Sequence, residues 1–277
     1  MAVAANKRPN PPDKKPATEN VVAAARAGRT PRDPKAPRAG GGWGETLKSF
    51  GGALLIFLFV RTFLFEAFRI PSPSMVPTLL VGDWLFVNKL VYGPHIPFTE
   101  ITLPGYGDPQ RGEVVVFESP PQPDEAAEGR DPTPTLVKRL WGVPGDTLHM
   151  RGGLLHVNGV PQPQPPEMAP NLVGNPDDRA WHFEWQARHA LQNTRFGSAP
   201  AEPTVGNWGP LLVPAGHYFM LGDNRYASKD SRFWGLVPRG NFRGRPIFVY
   251  YSWDAERGRP FGFLRDIRWD RLGHRIR

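Results

Sequence analysis

Three short stretches hold the residue types from which a nucleophile, its base and their support can be assembled. Ser74 lies in IPSPSMVPTLL, Ile70 to Leu80, a proline-flanked loop that carries three prolines and two serines. A serine hydroxyl is inert at neutral pH until a base removes its proton, so Ser74 needs a partner. Lys138 lies in LVKRLW, Leu136 to Trp141, where strand alternation sets apolar neighbours around it. A free lysine is almost wholly protonated at pH 7, but burial disfavours the charged form and can lower its pKa by several units. A buried lysine can therefore act as a general base, whereas the same Lys-Arg pair on a sheet edge would simply be solvated. The third stretch, GDNRYASKDSRFWG from Gly222 to Gly235, packs Asp223, Asn224, Arg225, Ser228, Asp230 and Arg232 into one turn-forming segment. There Asp230 and Arg232 can pair to shape a loop, and the Ser228 hydroxyl can orient an amine.

Other chemistries find less support. The chain has no G-x-S-x-G elbow and no S-x-x-K motif of the penicillin-binding kind. Its seven histidines show no H-x-x-x-H spacing, and it has no cysteine, so neither a zinc site nor a thiol nucleophile is indicated. A Ser-His-Asp triad has no local motif behind it.

The elements around these stretches read as short strands with turn punctuation. Alternation runs from Asp83 to Val91, and Arg111 to Phe117, RGEVVVF, reads as a turn followed by a buried strand. Ser119 to Thr135 is a Pro- and acid-rich loop, and Thr135 to Trp141 is again strand-like. The turn Val143 to Asp146 leads into a strand-like stretch from Thr147 to Val157 that ends at Asn158-Gly159, a strong hairpin signal. From Pro161 to Gly206 the composition turns polar and proline-rich, which predicts an inserted lobe over about 161–210. Core-type patterning resumes at Leu211 to Leu221, and Ile247 to Trp253 is a late strand. With no internal repeat and no sustained 3.6-residue periodicity, the chain over 69–160 and 211–277 is expected to be mostly β.

The N-terminal end is different in kind. Residues 1–43 are rich in Pro, Ala, Gly and basic residues and cannot bury enough surface to fold, which predicts a disordered tail. Nine Lys or Arg oppose three acids over residues 1–40, so most of the formal charge of +8 lies here. Leu47 to Phe68 then predicts a transmembrane helix, with Arg61 near one end where its head can reach the interface. A cleaved leader is disfavoured, because FEAFRIPSPS offers no clean pair of small residues at the expected spacing. With the basic tail on the cytoplasmic side, the rest of the chain is expected outside the cytoplasm.

Taken together, these stretches resemble bacterial type I signal peptidase, a membrane-anchored Ser-Lys endopeptidase. The likeness covers about Val60 to Arg277 and rests on four separated motifs in the family's order. They are Arg61 to Leu80 (RTFLFEAFRIPSPSMVPTLL), Arg111 to Phe117, Leu136 to Asp146 (LVKRLWGVPGD) and Gly222 to Gly235. The resemblance implies an antiparallel β-sheet catalytic domain of the signal-peptidase type with an inserted smaller lobe, preceded by one N-terminal transmembrane helix. It makes Ser74 the nucleophile and Lys138 the base, with Ser228 orienting Lys138 and Asp230 and Arg232 supporting the site. The N–H of Ser74 and the hydroxyl of Ser72 would form the oxyanion hole, and Met75 and Leu79 would line the pocket for a small residue. The implied partners are signal peptides of secreted preproteins and the lipid bilayer, with no nucleic acid and no cofactor or metal. The implied location is the bacterial cytoplasmic membrane, single-pass, with the catalytic domain on the extracytoplasmic side. Pro73 stands where many members carry Gly, and Tyr226-Ala227 where Asp-Asn is common. Three readings compete. A self-cleaving repressor protease would need a DNA-binding domain in place of the tail; the others are a pilin-processing relative and a membrane-tethered peptide-binding module.

Overall fold

The computed structural model of the chain describes residues 43–99, 101–163, 184–225 and 227–277. The predicted tail up to residue 42, Tyr226 and residues 164–183 of the predicted lobe lie outside them.

Helix α1, Trp43–Phe59, runs into a wider π-type turn at Val60–Leu64. Together they form a 22-residue helical segment of mean hydropathy 1.7, apolar and long enough to cross a membrane. Among the described residues nothing buries α1, whose apolar side chains are exposed, as the surface of a helix solvated by lipid would be. The segment ends at Leu64, four residues short of the predicted Phe68. Phe65–Arg69 is instead strand β1, because FEAFR can pair residue for residue with β2, Asp83–Asn88, from Phe65 opposite Asn88 to Arg69 opposite Trp84. An apolar run alone does not reveal where a helix gives way to a strand.

Beyond β2 come β3, Val114–Glu118; a short helix α2, Pro123–Ala127; β4, Thr135–Gly142; β5, Thr147–Arg151; β6, Leu154–Val157; and β7, Val160–Pro161. Asn158 and Gly159, at φ 54° and 83°, make the two-residue turn that sets Val157 opposite Val160. Then follow α3, Glu184–His189; β8, Trp208–Leu212; β9, His217–Leu221; α4, Ser231–Trp234; β10, Val237–Pro238; and β11, Phe242–Ser252. β8 begins inside the predicted lobe, where Gly209 and Pro210 disguise it. Proline is tolerated there because β8 is an edge strand. Trp185 of α3 packs against the core cluster that holds Trp208 of β8 and Phe219 of β9, so this part of the predicted lobe is built onto the strands beside it.

Two antiparallel sheets result, one of seven strands in the order β1-β2-β11-β3-β4-β9-β10 and one of four in the order β7-β6-β5-β8. β3 lies near the middle of the larger sheet and is apolar on both faces. Val114 and Val116 join the core with Ile70, Met75, Leu79 and Leu85, while Val115 and Phe117 join the one with Leu140, Met220 and Phe242. Such a strand, covered on both sides, shows no alternation in its sequence. Its neighbour β4 carries Lys138 opposite Val115, deep within the sheet.

Candidate active site

Ser74 sits in a single 3-10 turn, Pro73–Met75, whose first position is a proline that presets φ. The turn connects β1 to β2 and is held at its far end by Asp83. That carboxylate accepts from Leu80 N–H at 2.8 Å, from Ser252 Oγ at 2.7 Å and from Arg271 Nη2 at 2.6 Å, and the same guanidinium donates to Thr78 O. A second buried carboxylate, Asp223, accepts from Thr78 Oγ1 at 2.6 Å and from Arg139 Nε and Nη2 at 2.8 and 2.7 Å. Two bidentate arginine-carboxylate pairs thus fix the loop that carries the serine.

The loop brings Ser74 Oγ to 2.6 Å from Lys138 Nζ, across 64 residues of sequence. Ser74 is 7% exposed and Lys138 3%. Burial is the main reason why the lysine's pKa falls to about 8; Arg232 pushes the same way, while Asp230 and Asp223 oppose it. At pH 7 about one lysine in ten is then neutral, roughly 300 times more than for an ordinary lysine. Only the neutral amine can accept the serine proton. Activity as kcat/KM is therefore expected to fall about tenfold per pH unit below about pH 8 and to level off above it. Initial rates from about pH 6 to 10 check this, and a flat profile would remove Lys138 from the role of base.

The Gly222 to Gly235 segment closes over this pair. Asn224 N–H donates to Ser74 O at 3.1 Å, and its side chain donates to Pro73 O at 3.3 Å. Asp230 is fully buried and takes both arms of Arg232, Nε to Oδ1 and Nη2 to Oδ2, each at 2.8 Å. It also accepts from Gly222 N–H and caps α4 through Arg232 N–H. Burial alone would raise the Asp230 pKa, but the guanidinium charge and these hydrogen bonds hold it below the usual carboxylate range. Arg232 is anchored in turn, since its carbonyl accepts from Trp185 Nε1 and Gln186 Nε2, both at 2.8 Å. Ser228 departs from the sequence expectation: its hydroxyl donates to Asp230 Oδ2 at 2.8 Å rather than holding Lys138. The carboxylate charge makes a strong acceptor for that hydroxyl, whereas an amine that is mostly protonated at pH 7 has no lone pair to offer it.

Gly222 marks how tightly the pieces meet. A Cβ there would lie 2.1 Å from Ser228 Oγ and 2.6 Å from Ser74 O. Gly222→Ala is expected to cost about 1–3 kcal/mol of stability and to lower kcat more than it raises KM. Urea unfolding and steady-state kinetics test this; unchanged kinetics would show that the contact does not position the serine.

Ser72 lies beside the nucleophile, its Oγ 3.4 Å from Ser74 Oγ. A cleft of about 40 Å³ opens on the serine and is walled by Phe68, Ile70, Met75, Leu136 and Val137, with Lys138 behind. Space on this scale admits a small group and little more. Met75 is in that wall; Leu79 is not. The turn after Ser74, with Leu79 N–H on Met75 O, rotates Leu79 into the core among Ile70 and Leu85, where it is fully buried. Leu136 and Ile70 take its place, and the alternation on either side of Lys138 was the signal for Leu136. Among the described residues no group of three or more His, Cys, Asp or Glu could hold a metal ion.

A serine hydroxyl in short contact with a buried lysine, on a β frame with an apolar cleft beside it, can perform acyl transfer of the Ser-Lys kind. Residues 43–253 match the family described as signal peptidase, peptidase S26, and the chain belongs to that family of serine peptidases. It is 37% identical to signal peptidase I of Pseudomonas aeruginosa over 225 residues, covering 74% of this chain and 72% of that protein. Signal peptidase I of Pseudomonas fluorescens is 38% identical over 221 residues, with coverages of 74% and 72%. That of Leptolyngbya laminosa is 33% identical over 230 residues, with coverages of 80% and 89%.

Proposed function

We propose that the chain is a membrane-anchored endopeptidase that removes N-terminal signal peptides from exported preproteins after a small residue, with Ser74 as nucleophile and Lys138 as base. The observation that carries this reading is the 2.6 Å contact between Ser74 Oγ and a lysine amine whose burial favours its neutral form. Neutral Lys138 takes the Ser74 proton as Oγ attacks the scissile carbonyl carbon. The resulting oxyanion is stabilised by the N–H of Ser74 and the hydroxyl of Ser72. The tetrahedral intermediate collapses as the lysine ammonium returns its proton to the leaving amine, which frees the mature protein's N-terminus. Lys138 then deprotonates a water that attacks the acyl-enzyme, and Ser74 recovers its proton. Asp230 and Arg232 set the field around the amine, and Ser228 fixes the carboxylate that does so.

The small cleft walled by Ile70, Met75 and Leu136 accounts for a preference for alanine-sized residues before the cut. Position supports the same reading: β1 leaves the apolar helical segment directly, and four residues separate its last residue, Arg69, from Ser74, which keeps the serine close to the membrane surface. We assign the basic tail to the cytoplasmic face of a bacterial cytoplasmic membrane and the catalytic part to the other side.

The test is cleavage of a preprotein with an Ala-x-Ala site by the full chain in phospholipid, with the product's N-terminus sequenced. Cleavage directly after the second alanine, lost in Ser74→Ala, is the expected result. An uncut preprotein, or equal cleavage by Ser74→Ala, would overturn the assignment.

A further inference from the structure

A groove of about 680 Å³ lies away from the serine, between β11 and the C-terminal segment. That segment runs beside β11, with Gly273 N–H on Val249 O, Val249 N–H on His274 O and Ile276 N–H on Ile247 O. Arg245, Arg275 and Arg277 line the groove, and no aspartate or glutamate does. Glu113 pairs with Arg245 at 2.6 Å, but the side chains of Arg275 and Arg277 have no hydrogen bond or ion pair among the described residues. Between the cations the surface is apolar, made by Val91, Ile247, Phe248 and Ile276, and Tyr106 stands at the rim, 71% exposed. A rim of guanidinium groups around an apolar floor is complementary to an amphiphile with an anionic head.

Where the groove opens identifies which amphiphile. Asn88, which lines it, stands opposite Phe65, the first residue after the apolar helical segment, and opposite Arg245 on its other side. The next residue, Lys89, donates its N–H to Leu64 O, the last residue of that segment. The groove therefore begins at the level where the chain leaves the hydrocarbon, which is where lipid phosphates lie. We infer that this groove binds the phosphate of an anionic phospholipid through Arg275 and Arg277, with Arg245 at its side and the lipid's glycerol and upper chain on the apolar floor. The site would hold the catalytic part at a fixed height over the bilayer. The inference rests on the membrane-anchored reading above.

The experiment uses the full chain in neutral detergent, titrated with a short-chain phosphatidylglycerol and, separately, with inorganic phosphate, with bound lipid counted by native mass spectrometry. Arg275→Gln/Arg277→Gln removes two exposed charges without touching the core, and Arg195→Gln, over Phe196 in a loop packed on His149 of the smaller sheet, is the charge control. The expected result is saturable phosphatidylglycerol binding, weakened about tenfold or more in the double variant and unchanged in the control. Equal binding by the double variant would overturn the site, and inorganic phosphate binding as tightly as the lipid would overturn the lipid as its ligand. Partition of each protein into neutral phosphatidylcholine vesicles separates the two readings. Full partition without a phosphatidylglycerol preference sinks the groove alone, whereas failure to partition sinks the anchor and this inference with it.

Discussion

Lys138→Met is expected to lose cleavage by about three orders of magnitude or more while becoming more stable at neutral pH. The first half follows from the geometry, since methionine fills most of the space of the lysine stem but places no amine 2.6 Å from Ser74 Oγ to accept its proton. The second half follows from what burial does to the amine. The folded protein releases the Lys138 proton near pH 8, whereas the unfolded chain keeps it to about 10.5. Between those values the unfolded chain binds more protons, so folding stability rises with pH across that window. Below pH 8 the buried ammonium costs the fold about 3 kcal/mol. Methionine removes that cost and leaves Ser74 without its partner, a loss of about 1 kcal/mol. The net gain, about 1–2 kcal/mol, should be full at pH 7 and gone by about pH 10.5. Product formation and unfolding at pH 7 and at the alkaline end are the two measurements. Cleavage within tenfold of the parent would remove the lysine from catalysis, and a variant less stable at pH 7 would show that the amine is a structural support.

What the sequence reveals here depends on the range of the interaction. Ser74, Lys138 and the Asp230-Arg232 pair each sit in a short stretch of unusual composition, and the strands that carry them show their alternation or their turns locally. The loop's anchors do not. Arg139 and Asp223 are 84 residues apart, and Asp83 and Arg271 188, so no window of sequence contains either pair. Leu79 is turned into the core by the backbone turn that follows Ser74, with its N–H on Met75 O, and backbone geometry rather than residue type decides that direction. The same is true of Ser228, whose hydroxyl donates to the Asp230 carboxylate, a choice that residue type alone does not reveal. The end of the apolar helical segment was hidden because FLFEAF satisfies a helix and a strand equally until β2 is present to pair with it.

The Asp230-Arg232 pair should reveal itself through shifts of opposite sign in the lysine's titration. Arg232 lowers the Lys138 pKa and Asp230 raises it, both by charge. Arg232→Gln should therefore move the acid limb of kcat/KM to higher pH, and Asp230→Asn should move it to lower pH. Each change also leaves one buried partner alone, at a cost of about 3–5 kcal/mol. For Arg232→Gln the stranded group is a carboxylate that still holds Gly222 N–H and Ser228 Oγ. For Asp230→Asn it is a guanidinium that retains only neutral acceptors, the new amide oxygen and the carbonyls of Arg225 and Ser228. The double variant removes both charges and should be less destabilised than the sum of the two. Because the folded Asp230 pKa is depressed, the pair's stabilisation is present above the unfolded aspartate pKa, about 3.9, and is lost as pH falls through the folded value. Urea unfolding at neutral and acid pH, beside pH profiles of all three variants, tests the whole scheme. If both single variants shift the limb in the same direction, the pair does not tune the amine by charge and serves only to hold the loop.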